Sequence, residues 1–326
     1  MHFYPISLNN CNLKNLKKTL FLLLASIYAF PFYGQDLQII SKNQKIEVKE
    51  DSSFTREITI KFKKSNTNRV YSIFYDSELE EVSDIKIYKK KKKRVKEIKV
   101  GTIIEENVNF EYIASKKIKT LLLPKEEEIH LKYKIHCKEL MYFSDLRFFS
   151  YDKIDSLKYQ IKLPKQFRLS HKTIYKDSLN FFSIDSSKTV NSSVWNINVV
   201  PKKVTHDPLQ FFGIYKNMKV PLMRVLVSPS DYQQNSVAYM NDWYYKNIIS
   251  KRGLNDTSKQ KIDELTTGVS EKNKILDIIY NYVKKNFKYV AIEVGMGAFI
   301  PSHANEVFKN KQGDCKDLSN FLSEAL

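Results

Sequence analysis

A chain of 326 residues with 42% apolar and 13% aromatic side chains can build two buried cores, so wholesale disorder is excluded. The net charge of +18 comes from 54 basic against 36 acidic residues, yet only seven of the basic residues are arginine, the side chain that grips phosphates and base edges bidentately. That balance describes a lysine-rich surface and sets a nucleic-acid partner aside.

Residues 1–35 read as an export signal. Lys14, Lys17 and Lys18 form a positive start, Leu20 to Phe32 is apolar, and Tyr33-Gly34-Gln35 offers a small-residue exit. Cleavage near Gln35 and a periplasmic or extracellular destination are expected. A retained membrane anchor is the competing reading, but the apolar run falls short of the ~20 residues a spanning helix needs, and no later stretch comes closer. Cys11 precedes that run, which argues against a lipid-modified cysteine at the cleavage point. Only Cys137 and Cys315 then remain, too few for a disulfide framework.

Residues 36–230 carry period-two patterning. Ile58/Ile60/Phe62, Tyr71/Ile73/Tyr75, Ile129/Leu131/Tyr133/Ile135/Cys137, Tyr159/Ile161/Leu163, Trp195/Ile197/Val199 and Met223/Val225/Val227 each put apolar side chains on one strand face. Polar stretches such as Lys64 to Asn68 and Asp185-Ser186-Ser187 punctuate them. Many short alternating strands predict an antiparallel β-sandwich. The basic run Lys89 to Arg94 lies between Ile85/Ile87 and Val95/Ile98, as the tip of a hairpin would, and offers a weak attraction for anionic surfaces. Cys137 shares the apolar face of its strand and reads as a buried structural thiol. His130, His136, His171 and His206 show no ligand spacing, so neither a metal nor a cofactor is expected.

Residues 231–326 change period. Ser236 to Ile249 lacks alternation, and Glu271 to Phe287 spaces Ile275, Ile278, Ile279, Tyr282, Val283 and Phe287 at helical intervals. Asn255-Asp256-Thr257-Ser258 and Thr266-Thr267-Gly268 are the expected loops between helices. The segment Gly313-Asp314-Cys315-Lys316-Asp317 then opens a last helix: Asp314 is an N-cap, Asp317 sits in the first turn, and Leu318, Phe321, Leu322 and Ala325 form an apolar stripe. A thiol at a helix N-terminus faces unpaired backbone N–H groups, which favour its thiolate and could also hold an oxyanion. Gly313 permits close approach of backbone or substrate.

The run from Lys274 to Leu326 resembles the opening of the bacterial transglutaminase-like fold. The residues that carry this are Ile279-Tyr280-Asn281-Tyr282-Val283, Phe287-Lys288-Tyr289-Val290, Pro301, Ala304, Glu306-Val307 and Gly313-Asp314-Cys315-Lys316-Asp317. The strand-rich region before it resembles, by pattern and order, the family called domain of unknown function 3857. The expected fold is therefore α+β, a β-sandwich followed by the helical front half of a transglutaminase-like domain. By that resemblance Cys315 is the nucleophile that attacks an amide of a peptide or protein substrate, supported by Gly313, Asp314 and Asp317. A histidine and an aspartate follow on later strands in the family.

Only 11 residues follow Cys315, so those partners are not in this sequence, and the expectation is a fragment or truncated product, inactive as it stands. His303 is the nearest substitute in sequence, against the family order, and Tyr289 is a candidate oxyanion donor by its position after the helix. Without the sheet that would pack on the last helix, Leu318, Phe321 and Leu322 are expected to face water. The competing function is a non-catalytic binding module built on the β-domain.

Overall fold

The computed structural model describes residues 37–326 apart from 92–93, 109–114, 126–127, 144, 205–219, 233–235 and 292–294. The export-signal reading of residues 1–35 and His206 lie outside the described residues. Gln38–Leu326 is one compact unit.

Alternating apolar residues produce the strands β1 (Gln38–Val48), β2 (Phe54–Phe62), β3 (Arg69–Asp76), β4 (Glu80–Lys91), β5 (Arg94–Ile98), β6 (Ile103–Asn107), β7 (Lys116–Leu123) and β8 (Glu128–Cys137). They continue with β9 (Leu146–Arg147), β10 (Phe149–Ser150), β11 (Lys153–Pro164), β12 (Phe167–Ile174), β13 (Phe181–Lys188), β14 (Ser192–Val200), β15 (Lys202–Lys203) and β16 (Leu222–Pro229).

Eight of them form one sheet in the order β13-β14-β11-β1-β2-β8-β4-β5. Two three-stranded sheets, β12-β16-β9 and β3-β7-β6, supply the facing layer. Ile46, Phe54, Ile161 and Val199 of the large sheet share a core cluster with Leu146, Phe167, Met223 and Val227 of the first small sheet. Tyr71 of the second reaches the rings of Phe62, at 5.6 Å between centroids, and Tyr133, at 6.4 Å. The expected sandwich is present, with one correction. At the centre of the large sheet β1 and β11 run parallel, in register from Gln38↔Lys153 to Glu47↔Lys162. Such a pair cannot be joined by a tight turn and needs a long crossover, and the chain from β2 to β10 is that crossover.

The basic hairpin forms as expected, with Lys91 opposite Arg94 and Lys89 opposite Lys96. Cys137 has no exposed surface, and burial pushes its thiol up to about 11.

The α-helices among the described residues all follow the strands of the sandwich: α1 (Ser236–Ile249), α2 (Asp256–Thr266), α3 (Lys272–Asn286), α4 (Ala304–Asn310) and α5 (Cys315–Ala325). The fold class is therefore α+β. One predicted loop is shorter than expected: Asn255 caps α2 by accepting from the Ser258 N–H at 2.9 Å, so Asp256 to Ser258 are already helical. The other loop closes as read, with Gly268 in the left-handed region at φ +77. No described helix is long and apolar enough to cross a membrane.

Candidate active site

The helices gather around Phe321 of α5. This ring has no exposed surface, stacks on Phe287 at 5.1 Å and lies 5.7 Å from Phe308. Ile262, Ile279, Val283, Ala304, Val307 and Ala325 complete the cluster, with Leu318 and Leu322 half-buried at its margin. The expectation that this stripe would face water is corrected. α2, α3 and α4 cover its inner half, because their own apolar faces converge on the same axis.

That core presents the turn that carries Cys315. Lys311 ends α4 in the left-handed region at φ 51, its N–H donating to Val307 O at 3.0 Å. Its ammonium lies over the Phe308 ring at 3.4 Å and donates to Tyr282 Oη at 2.9 Å. The next residues pair in parallel as β17 (Lys288–Tyr289) and β18 (Gln312–Gly313), with Val290 N–H donating to Gly313 O at 2.9 Å. Tyr289, directly opposite Gly313, is largely exposed.

Asp314 and Asp317 form a reciprocal cap. Asp314 Oδ1 accepts from the N–H groups of Lys316 at 2.8 Å and Asp317 at 3.1 Å, while Asp317 Oδ2 accepts from the Asp314 N–H at 3.1 Å. Both carboxylates are buried, and Lys316 Nζ donates to Asp314 Oδ2. Desolvation lowers the Lys316 pKa, but its contacts with Asp314 outweigh that and raise it overall. Asp317 Oδ1 also accepts from Ser302 N–H at 2.7 Å, tying the loop before α4 to the turn. Gly313 is a steric necessity, since a Cβ there would stand 2.5 Å from the Asp317 Cβ.

Counting first-turn donors shows what the cap leaves over. Lys316 and Asp317 give their N–H groups to Asp314 Oδ1, Leu318 gives its own to Asp314 O at 3.0 Å, and Asp314 gives its own to Asp317. The Cys315 N–H has no acceptor among the described residues, and its side chain is exposed. Thiol and open donor thus sit on one residue at the positive end of a helix dipole.

The four predicted site residues, Gly313, Asp314, Cys315 and Asp317, converge here. The histidines do not. His303 is the N-cap of α4, where its imidazole makes no capping bond, and it lies next to the bridging Ser302. No hydrogen bond joins Cys315 to a described histidine. His130 contacts Glu128 at 3.0 Å, His136 contacts Thr55 at 3.3 Å, and His171 meets the Trp195 ring.

Two supports escaped the sequence analysis. Asn320 donates to Lys251 O at 3.0 Å and Ser302 O at 3.1 Å, and Glu324 accepts from Arg252 Nε at 2.5 Å and Gly253 N–H at 2.8 Å. Their signal is a polar stripe, Asp317, Asn320 and Glu324, at helical spacing on a face that also buries Phe321. The loop before the turn is anchored on the sandwich. Met296 packs against the sandwich core, and a Cβ on Gly295, which sits at φ +60, would stand 2.6 Å from Asp76 Oδ2. Among the described residues no group of three His, Cys, Asp or Glu side chains gathers as a metal centre.

No family model and no curated protein matches the chain. Among solved structures, one from Parabacteroides distasonis described as a "putative protease" superposes with a TM-score of 0.61 at 13% identity, covering 89% of this chain. The chain spans 58% of that protein's length. This likeness shows a shared fold. An M1 zinc metallopeptidase from Deinococcus radiodurans matches at a TM-score of 0.31 and 8% identity over 60% of this chain and 43% of its own, too distant to carry an argument.

Proposed function

We propose that Cys315 is the nucleophile of a transglutaminase-like site that acts on amide bonds of peptide or protein substrates, in a protein that also carries a domain of the unknown-function 3857 type. The observation that carries this reading is the open N–H of Cys315 beside its own exposed sulfur, at a turn whose other donors are all engaged. The thiolate attacks the amide carbonyl and forms a carbon–sulfur bond, while the developing oxyanion is held by the Cys315 N–H. Collapse of the tetrahedral intermediate breaks the carbon–nitrogen bond and expels the amine, which takes a proton from a general acid or from solvent. Water or a second amine then releases the acyl group.

In this proposal residues 1–35 direct export, and the mature protein begins after Gln35. Edman sequencing of the exported protein is expected to start at Asp36; a start at Met1 removes the export reading. The enzymatic reading is tested on the native protein with a casein substrate, following both peptide release and incorporation of a fluorescent primary amine. Cys315→Ser is expected to abolish both signals, and turnover unchanged in that variant overturns the assignment.

A further inference from the structure

A half-open chamber of about 580 Å³ lies between the large sheet and its facing layer, within the range of small-molecule sites. Its walls depart from the period-two pattern that built the sheet. On β1 the side chains of Lys42 and Gln44 share the inward face of Ile46 and Val48, and in register they flank Ile60 and Ile58 of β2 and Leu157 and Tyr159 of β11. Arg56 of β2 and Tyr133 of β8 continue this polar island, and Tyr71 closes it from the opposite layer. Ile46, Phe54, Ile58, Ile73 and Leu157 supply apolar wall, and Glu80, Lys116, Asp145, Arg147 and Asp152 also line the chamber.

Most of the polar wall is already satisfied internally. Arg56 is paired with Glu80, Tyr71 and Tyr133 share a hydrogen bond of 3.2 Å, and Tyr159 donates to Arg147 O at 2.8 Å. Donors are left over, Lys42 and Arg56 among them. Lys42 makes no hydrogen bond or ion pair among the described residues, and the Arg56 Nε–H is buried without a partner. Part of the Lys42 surface is accessible, but that surface faces the chamber. Burial lowers its pKa, an effect opposed by the field of Asp152. A desolvated ammonium in the middle of a sheet costs stability unless something answers its charge.

We infer that the chamber binds a small amphiphilic carboxylate, its head on Lys42 and its apolar body along Ile46, Phe54, Ile58 and Leu157. A singly charged carboxylate suits this wall better than a dianionic phosphate does, since the Glu80 and Asp152 carboxylates also line it. This site lies within the sandwich and is independent of the reading of Cys315.

The test uses the whole protein with decanoate, decanol and decyl phosphate below their micellar concentrations. Decanoate is expected to raise Tm and to titrate calorimetrically at one per chain, with decanol and decyl phosphate binding about tenfold more weakly. Lys42→Met is expected to melt above the natural protein without ligand and to lose the decanoate response. Absence of decanoate binding, a stoichiometry above one, or an equal response to decanol overturns the inference, as does a Lys42→Met variant that still responds. Should that variant not fold, the stoichiometry and head-group preference of the natural protein decide alone.

Discussion

Gly313 decides whether the turn before Cys315 can exist. Its neighbour three residues beyond the cap, Asp317, folds back over it, and any side chain at 313 collides with that carboxylate's own stem. Gly313→Ala is expected to destabilise the protein by about 1–3 kcal/mol, the usual cost of forcing extra volume into a packed position. A chemical-denaturation midpoint within error of the natural protein's would refute this. The turn itself was legible in the sequence, because an Asp-x-x-Asp spacing ahead of an apolar stripe specifies a reciprocal cap from local geometry alone. The steric demand on Gly313 was not legible: it follows from where the Asp317 side chain goes once its second oxygen is taken by Ser302, a residue fifteen positions away in the chain.

Among the elements, α5 shows how a short amphipathic helix is held at both ends. Its start is fixed by the cap, and its last turn by Glu324, which accepts from Arg252 and from the Gly253 backbone. The hydrogen bond from Arg252, the larger cause, holds the Glu324 carboxyl below the usual range. A carboxylate depressed in the folded state adds stability that is complete above its unfolded pKa and drains away as pH falls through the folded one. Glu324→Gln is expected to cost about 1 kcal/mol near neutrality, as for a partly exposed pair with one further charged bond, and nothing at acid pH below both values. Denaturation at pH 7 and pH 3 measures it, and a cost that persists undiminished in acid contradicts the assignment. Helix α3 was legible from its spacing of apolar residues and α1 from its lack of alternation, whereas the start of α2 was misplaced because its cap, Asn255, heads a run of four residues that all favour turns. Strand β1 carried no signal, since Lys42 and Gln44 occupy inward positions where the alternation would require apolar residues.

For the molecule as a whole, the layered architecture was legible because each half repeats one periodicity long enough to be recognised, two in the sandwich and 3.6 in the helices. The partner of each strand was not. Pairing of β1 with β11 in the same direction is a property of the closed sheet, and no local pattern encodes which distant strand will arrive at an open edge. What covers the apolar stripe on α5 was likewise invisible, because three separate helices have to assemble around Phe321.

The direction of that central pairing has a consequence for the order of assembly. As the polypeptide emerges, β1 can zip onto β2 at once, but its other edge stays open until roughly a hundred further residues have appeared and β11 docks alongside. Throughout that interval a row of unsatisfied backbone groups is available to any passing strand. A newly made chain therefore passes through a stage vulnerable to aggregation, and anything that shields that edge until synthesis reaches β11 would raise the yield of folded protein.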